Sequence, residues 1–330
     1  MSKVLFIGGT GIISSACAAQ AIERGMDLTL VTRGLSIRPP PKGARHIKSD
    51  GYKLPAVLRR ERFDSVVNWI AYRPDHIETD IDFFRGRINQ YVFISSASVY
   101  QAPPPALPIT EEMPLDNPCW RYARDKIECE MRLRQSTGFP WTIVRPSHTY
   151  DRTLIPIRGR YTVIDRMRRG ASVVVHGDGT SLWVLTHHSD FALGLVGLLG
   201  RSETYGEAYH ITSDECLTWN EIYLLLGRAA GVEPALVHLP SEVIAAYASD
   251  WGESLLGDKA HSKIFDNSKV KKIVPEYRAV VPFARGAEEI VAWYDADSRR
   301  RAVDAAFDRL LDDLVAAHRR SMGRAPAPGD

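Results

Sequence analysis

Short apolar runs alternate with amphipathic segments through the first half of the chain. The apolar runs, which predict buried strands, cover residues 4–7, 28–32, 64–71, 90–95 and 141–145, and a shorter strand is predicted at 45–48. The segments with helical spacing cover residues 12–24, 54–62, 75–84 and 120–135. Apolar strands that alternate with helices are typical of a parallel sheet covered on both faces. We therefore predict an α/β fold built on a Rossmann-type, doubly wound parallel sheet.

The pattern changes after Pro146, where shorter and mixed elements follow. Strands are predicted at 173–176 and 208–211, helices at 191–199 and 219–230, and one or two long amphipathic helices within 286–321. We expect residues 1–150 to form a nucleotide-binding domain whose sheet is completed by later segments. Residues 151–321 are expected to form a smaller α/β lobe that binds substrate, and residues 322–330 to form a disordered tail.

A glycine-rich turn separates the first predicted strand from the first predicted helix. The turn and the start of that helix contain Gly8, Gly9, Thr10, Gly11, Ile12 and Ile13. Glycine is needed where a side chain would keep the backbone away from a bound pyrophosphate, and the start of a helix offers free N–H groups and a positive dipole end. The turn therefore predicts a dinucleotide site, with an ordinary tight turn as the alternative.

Tyr122 and Lys126 lie four residues apart in the predicted helix 120–135 and therefore share one face. An ammonium group near a phenol favours the phenolate, so we expect Lys126 to lower the pKa of Tyr122. Such a phenol can take the proton of a substrate hydroxyl while hydride moves to a nicotinamide. The pair follows a serine cluster at 95–98 at the end of a predicted strand, where open α/β sheets bind ligands. A solvent-exposed Tyr and Lys on a helix face is the alternative.

Together these motifs resemble the extended short-chain dehydrogenase/reductase superfamily, the group of NAD-dependent epimerases and dehydratases. The resemblance extends to about Tyr294 and includes the Arg145-Pro146 pair and the sequence GDG at 177–179. It implies three catalytic residues. Tyr122 would be the base, Ser96 would donate a hydrogen bond to the developing oxyanion, and Lys126 would tune Tyr122 and hold the cofactor ribose.

The motifs and the resemblance also indicate which residues surround the ligands. The expected cofactor-binding residues are Gly8, Gly9, Thr10, Gly11, Ile12, Ile13, Arg33, Asp50, Gly51, Asn68, Ala71, Ser95 and Pro146. The expected substrate-binding residues are Tyr72, Ser98, Trp120, Ser147, His148 and Trp183. A structural role for His148, and a place in the core for Trp183, are equal alternatives.

The chain departs from the pattern of that superfamily at several positions. Ala97 and Ser98 stand where its 4,6-dehydratases carry an acidic pair, so that dehydration lacks its acid and its base. His148 replaces an Asn that meets the nucleotide sugar, and Trp183 aligns with an Arg that clamps the diphosphate. An indole cannot replace a guanidinium at a phosphate, so a UDP- or TDP-sugar substrate is disfavoured. Trp183, with Trp120 beside Tyr122, suggests a flatter, more apolar pocket or direct stacking on a sugar face.

The turn after the second strand bears on the choice of cofactor. NAD sites place an acidic residue there to hold the ribose diol, whereas this chain has Thr32-Arg33-Gly34. A guanidinium suits the 2′-phosphate, so the cofactor is expected to be NAD(P), with NADP favoured slightly over NAD. Stacking of Arg33 on the adenine of NAD is the alternative.

Composition narrows the class of protein and its partners. The 45% hydrophobic and 25% charged fractions are those of a soluble globular protein, and the net charge of +2 over 330 residues makes nucleic acid and membrane partners unlikely. No apolar run is long enough to span a bilayer, and the N-terminus lacks the features of a signal peptide. The four cysteines form no CxxC pair and no residues stand at zinc-ligand spacing, so we expect a cytoplasmic protein with reduced thiols and no metal.

We therefore expect an NAD(P)-dependent enzyme that acts on a sugar, a nucleoside or a nucleotide-sugar-like substrate. Transient oxidation of a hydroxyl, with return of the hydride to the other face, would make it an epimerase. An NADPH-dependent ketone reductase is one alternative, and a non-catalytic nucleotide-sensing or RNA-associated protein of the same fold is another. The resemblance also implies a possible homodimer formed through helices that include 120–135.

Overall fold

A seven-stranded parallel sheet forms the centre of the computed structural model, which describes residues 1–49 and 52–323. In chain order the strands are β1 Lys3–Ile7, β2 Asp27–Thr32, β3 Arg45–Lys48, β4 Phe63–Asn68, β5 Ile88–Ile94, β6 Trp141–Pro146, β7 His148–Tyr150, β8 Val173–His176, β9 Leu182–Trp183, β10 Leu185–His187, β11 Glu207–Ile211, β12 Leu217–Thr218 and β13 Leu236–Leu239. The large sheet has the order β11-β6-β5-β4-β1-β2-β3, and all its pairings are parallel. The predicted Rossmann-type fold is confirmed.

Helices cover both faces of this sheet. The helices of the described residues are α1 Ile12–Glu23, α2 Pro74–Phe84, α3 Arg121–Arg134, α4 Tyr161–Arg168, α5 His188–Leu198, α6 Trp219–Ala229, α7 Ser241–Tyr247, α8 Ser249–Ser254, α9 Ser268–Ile273, α10 Phe283–Asp295 and α11 Ala305–Met322. Helices α1 and α5 pack together on one face, and α2 packs against α3 on the other. Because both faces are covered, Val4, Leu5 and Phe6 of β1 are completely buried, which explains the continuous apolar runs in the sequence.

The direction of strand order reverses between β1 and β4. From β1 the chain winds outward through β2 to β3, and from β4 it winds the other way through β5 and β6 to β11. The loops that leave two such neighbouring strands diverge to opposite faces, which opens a crevice at their carboxyl ends. The crevice here lies beyond Ile7 and Asn68, which are register partners at the ends of β1 and β4.

A second hydrophobic core lies outside the large sheet. It is formed around the parallel pair β8 and β13 together with side chains of α4, α6, α10 and α11. Several of its elements were not predicted, since strands of two to four residues and helices of six to eight residues are too short to show a period. Several predicted boundaries also differ. The predicted strand 64–71 ends at Asn68, and the predicted helix 191–199 begins at His188. The expected helix 54–62 is a short 3-10 turn at Ala56–Arg60, and α11 continues through Met322 into the predicted tail, whose residues 324–330 lie outside the described residues.

A buried ion pair joins β6 to α3. Arg145 donates from Nη2 to Glu130 Oε2 at 2.6 Å and from Nε to Oε1 at 2.9 Å, and both side chains are fully buried. Ser95, just after β5, donates to the same carboxylate at 2.6 Å, while Arg145 Nη1 also donates to the hydroxyl of Tyr100 at 2.7 Å. The network therefore connects the end of β5, the middle of α3 and β6.

We predict that Glu130→Gln lowers the free energy of unfolding by about 3–5 kcal/mol, because it leaves the guanidinium of Arg145 buried without a counter-charge. The measurement is urea denaturation at neutral pH. Glu78→Gln is the matched control, since Glu78 pairs with Arg132 at 2.6 Å while both side chains are about half exposed. That exposed pair is expected to contribute at most about 1 kcal/mol. Equal effects of the two substitutions would contradict the prediction.

Candidate active site

A cavity of about 520 Å³ occupies the crevice at the ends of β1 and β4. The predicted residues on its wall are Gly8, Gly9, Thr10, Gly11, Ile12, Ile13, Arg33, Tyr72, Ser95, Ser96, Tyr122, Lys126, Pro146 and Ser147. Residues that are far apart in the chain thus meet in one place. We call this the cofactor cavity, because its size and glycine wall suit a dinucleotide.

The glycine turn has a backbone that other residues would not tolerate. Gly8 and Gly9 have φ values of +101° and +115°. A Cβ atom on Gly8 would lie 2.9 Å from the Cβ of Trp69, and one on Gly9 would lie 2.8 Å from a methyl of Leu30. The first turn of α1, whose N–H groups have no partner within the helix, lies on the same wall. These features fit a bound pyrophosphate.

Trp69 offers a second observation that fits a cofactor. The indole is 92% buried and lies on the wall of the cofactor cavity, and its Nε1–H has no hydrogen-bond partner among the residues that the structure describes. A buried unpaired N–H costs about 1–3 kcal/mol. An acceptor atom on a bound dinucleotide would remove that cost.

Asn68 and Ala71 do not line this cavity, in contrast to the expected direct contact. Asn68 Oδ1 accepts hydrogen bonds from the backbone N–H groups of Ile70 and Ala71, both at 2.8 Å. The Asn68 side chain therefore shapes the turn that brings Trp69 and Ile70 to the cavity wall. Two other expected cofactor residues, Asp50 and Gly51, lie outside the described residues.

Ser96 and Tyr122 lie side by side. Ser96 Oγ accepts hydrogen bonds from the backbone N–H of Ser98 at 3.2 Å and from its hydroxyl at 2.9 Å, so the hydrogen of Ser96 is left to donate. Burial raises the pKa of Tyr122 to about 12, and the hydrogen bond from Ser96 only partly offsets this effect. Tyr122 is therefore protonated at neutral pH.

Lys126 does not have the predicted effect on Tyr122. Its Nζ donates to the backbone carbonyls of Ala71 and Ile94, both at 2.8 Å, and lies 5.9 Å from the centre of the Tyr122 ring. Burial lowers the pKa of Lys126 to about 7, which weakens its positive charge. Burial raises the pKa of Tyr122 and Lys126 is not among the groups that lower it, so the structure does not support the expectation that Lys126 lowers the pKa of Tyr122.

A second cavity, of about 340 Å³, adjoins the first and is named the substrate-side cavity. Ser96, Tyr122, Pro146 and Ser147 line both cavities. Of the predicted substrate residues, those on this wall are Ser98, Trp120, Ser147, His148 and Trp183, whereas Tyr72 lies on the cofactor cavity instead. A larger outer cavity of about 790 Å³ continues from it and shares Trp120 and His148.

His148 and Trp183 form a hydrogen-bonded pair. Trp183 Nε1 donates to His148 Nδ1 at 3.1 Å. Because an indole can only donate, Nδ1 is the accepting nitrogen and the ring proton is on Nε2. Burial lowers the pKa of His148 to about 3, so the ring is neutral. Trp183 is 3% exposed and packs into the second core while it also lines the cavity, so its core alternative is confirmed and its contact with substrate stays a prediction.

Sequence reasoning missed three charged residues on the substrate-side cavity. Asp258, Lys259 and Lys263 come from the π-helical segment Leu255–Lys259 and the loop that follows it. They lie more than a hundred residues after His148, and an adjacent Asp and Lys carry no local signature. No group of three or more possible metal ligands occurs among residues 1–49 and 52–323.

The fold, the glycine turn and the two joined cavities define an NAD(P)-dependent enzyme of the extended short-chain dehydrogenase/reductase type. A family model described as the NAD dependent epimerase/dehydratase family matches residues 4–212, and the chain belongs to that family. No helix within the described ranges has the length and hydropathy needed to cross a membrane.

The chain is also similar to individual proteins along most of its length. It is 27% identical to the chloroplast stem-loop binding protein of 41 kDa b of Arabidopsis thaliana, over 95% of this chain and 84% of that protein. An epimerase structure from Methanothermobacter thermautotrophicus matches with a TM-score of 0.72 and 18% identity, covering 91% of this chain and 94% of that chain. UDP-glucuronic acid 4-epimerase from Bacillus cereus, solved with UDP-glucuronic acid and NAD, matches with a TM-score of 0.70 and 18% identity, covering 89% of this chain and 99% of that chain. At such identities the structural matches support the fold alone.

Proposed function

We propose that this chain is an epimerase of a sugar-like substrate, acting by transient oxidation of a secondary hydroxyl. The observation that carries the proposal is that Tyr122 and Ser96 line both the cofactor cavity and the substrate-side cavity. A substrate carbon beside these two hydroxyls would be within reach of both ligand sites. That arrangement is what a proton transfer coupled to hydride transfer needs.

Each of the three polar residues has a separate task in this proposal. Bound nicotinamide supplies the acceptor and then the donor of the hydride. Tyr122 exchanges a proton with the substrate oxygen, and Ser96, whose hydroxyl donates to Tyr122 in the structure, would turn that hydrogen to the substrate oxygen as negative charge develops. Lys126, anchored by two backbone carbonyls, holds the cofactor ribose.

Net reduction of a ketone by NADPH is the second candidate reaction of the same site. It is favoured by the protonation state of Tyr122, because the neutral phenol carries a proton that it can give to a developing alkoxide and has no free base to accept one at neutral pH. Oxidation by this site should therefore become faster as the pH rises, since more of the phenol ionises.

We predict that Tyr122→Phe loses roughly two to four decades of turnover, because the proton path is removed. Binding of NAD and NADP should survive. The assay uses sugars labelled with deuterium at the reacting carbon and follows both the label and the nicotinamide absorbance. Deuterium that moves within the substrate pool without net cofactor loss indicates the epimerase, and stoichiometric loss of NADPH indicates the reductase. Tyr247→Phe, at an exposed tyrosine of α7, is the control for loss of a phenol elsewhere. Near-full turnover of Tyr122→Phe would remove the assignment.

We further propose that the cofactor site prefers NADP. Arg33, just after β2, and Lys53 both line the cofactor cavity, and no carboxylate is found among the described residues of that wall. A 2′-phosphate would therefore meet positive charge and no opposing negative charge from these residues.

Arg33→Asp is expected to raise the dissociation constant of NADP by about tenfold to a hundredfold and that of NAD much less. Both constants are measured by fluorescence titration. Arg38→Gln is the matched control, because Arg38 belongs to the same loop but pairs with Asp151 at 2.7 Å. Equal losses for the two cofactors after Arg33→Asp would count against a preference for NADP.

An RNA-associated function is favoured by one observation, the similarity to the stem-loop binding protein. Under the enzyme proposal we expect binding of a hairpin RNA to be weak and to disappear as salt is raised, because only the general charge contacts would act. Fluorescence anisotropy with a labelled hairpin at low and at physiological salt tests this expectation. Tight binding that persists at physiological salt would instead support the RNA-associated function.

A further inference from the structure

The substrate-side cavity has an unequal number of buried positive and negative groups. Lys263, 1% exposed, donates from Nζ to Asp258 Oδ1 at 2.6 Å. Lys259 Nζ lies 3.7 Å from the other oxygen, Oδ2, of the same carboxylate. The remaining titratable groups on this wall are His148 and Tyr122, which are both neutral at pH 7. Two ammonium groups therefore share one carboxylate, and Lys259 is the more weakly paired of the two.

The position of Lys259 is held by its backbone rather than by its side chain. Its carbonyl accepts hydrogen bonds from His176 Nε2 at 2.9 Å, Trp219 Nε1 at 3.2 Å and Ser181 Oγ at 3.3 Å. These donors come from β8, from α6 and from the loop before β9. The ammonium group is thus presented at a defined place without being used to hold the fold together.

Two indole rings flank this ammonium group. Lys259 Nζ lies 5.1 Å from the ring centre of Trp120 and 5.8 Å from that of Trp183. Indole faces attract a cation but carry no net charge, so they do not balance it. The side chain is only 20% exposed, which limits stabilisation by water. An anion in the cavity would be paired here with a poorly solvated cation.

We propose that Lys259 binds an oxyanion of the substrate, and that the substrate is a sugar with one anionic group, a carboxylate or a phosphate monoester. The flat indoles of Trp120 and Trp183 would pack against the sugar ring, and the Nε2–H of His148 would donate to a hydroxyl or to the oxyanion. This inference rests on the proposed function, because it takes the substrate to be a sugar.

The surroundings disfavour a nucleoside diphosphate at the same place. A nucleoside diphosphate carries a second phosphate group at a separate position, and the charge of that group would need a second cation. In the outer cavity Arg158 is paired with Asp250 at 2.5 Å, and Arg160 is exposed on a wall that also contains Asp304. Trp183, on the wall of the substrate-side cavity, is an uncharged indole and supplies no second cation. One oxyanion therefore fits the balance of charges better than two.

Calorimetric titration of the full chain saturated with NAD tests this inference. The ligands are D-glucuronate, D-glucose 1-phosphate, D-glucose and UDP-glucose. We expect D-glucuronate or D-glucose 1-phosphate, or both, to bind about tenfold or more tightly than D-glucose and more tightly than UDP-glucose. The tighter of the two identifies the oxyanion as a carboxylate or a phosphate. Lys259→Met should remove the preference, and Lys259→Arg should keep most of it.

Arg160→Gln is the matched control, because it removes an exposed cation from the neighbouring wall and should change these affinities less than about twofold. Unfolding free energy and NAD affinity are measured for each variant, and Lys259→Gln replaces Lys259→Met if the latter is unstable. Equal or tighter binding of D-glucose or UDP-glucose would overturn the inference, as would no binding of either anionic sugar at about 10 mM. It would also be overturned if the preference for an anionic sugar survived the removal of Lys259 or depended on Arg160. Turnover is not used, so the loss of activity in Tyr122→Phe tests the proposed function separately.

Discussion

The buried ion pair between Arg145 and Glu130 is the interaction on which the geometry of the site depends. It ties β6, whose end leads to Ser147 and His148, to α3, which carries Tyr122 and Lys126. Ser95 joins the same carboxylate and so places the neighbouring Ser96 relative to the helix. Because such a pair is stable only when both charges are matched in position, it defines one arrangement of three elements that come from distant parts of the chain.

Desolvation sets the pKa values of the catalytic candidates that this ion pair positions. A helical Tyr and Lys four residues apart suggest a phenol activated by an ammonium group, yet Lys126 is buried and Tyr122 is half-buried. Burial favours the neutral form of each, which raises the pKa of Tyr122 and lowers that of Lys126. Tyr122 is thus a neutral phenol, and the amino group of Lys126 beside it, with a lowered pKa, is hydrogen-bonded to two backbone carbonyls. In that state the phenol can give a proton, whereas it must ionise before it can take one.

The two sides of the site differ in how they were built. The cofactor side uses backbone features, namely left-handed glycines and the start of α1 at the point where strand order reverses. The substrate side uses side chains from β7, β9, α3 and the segment Leu255–Lys259, which are far apart in the chain. The cofactor side therefore depends on local backbone conformation, and the substrate side depends on contacts between distant segments.

The sequence by itself determined the sheet, its helices and the glycine turn, because strand and helix periods and positive φ angles are local properties of the chain. It also indicated Tyr122 and Lys126 by their spacing, which can be counted along the chain, and Ser96, His148 and Trp183 by the resemblance to a known superfamily. Only the tertiary structure decided that Asn68 lies behind the cavity wall and that Lys126 fails to lower the pKa of Tyr122. It alone also brought Asp258, Lys259 and Lys263 to the site. Those outcomes depend on burial and on contacts between distant segments, and neither produces a period or a spacing that can be read along the sequence.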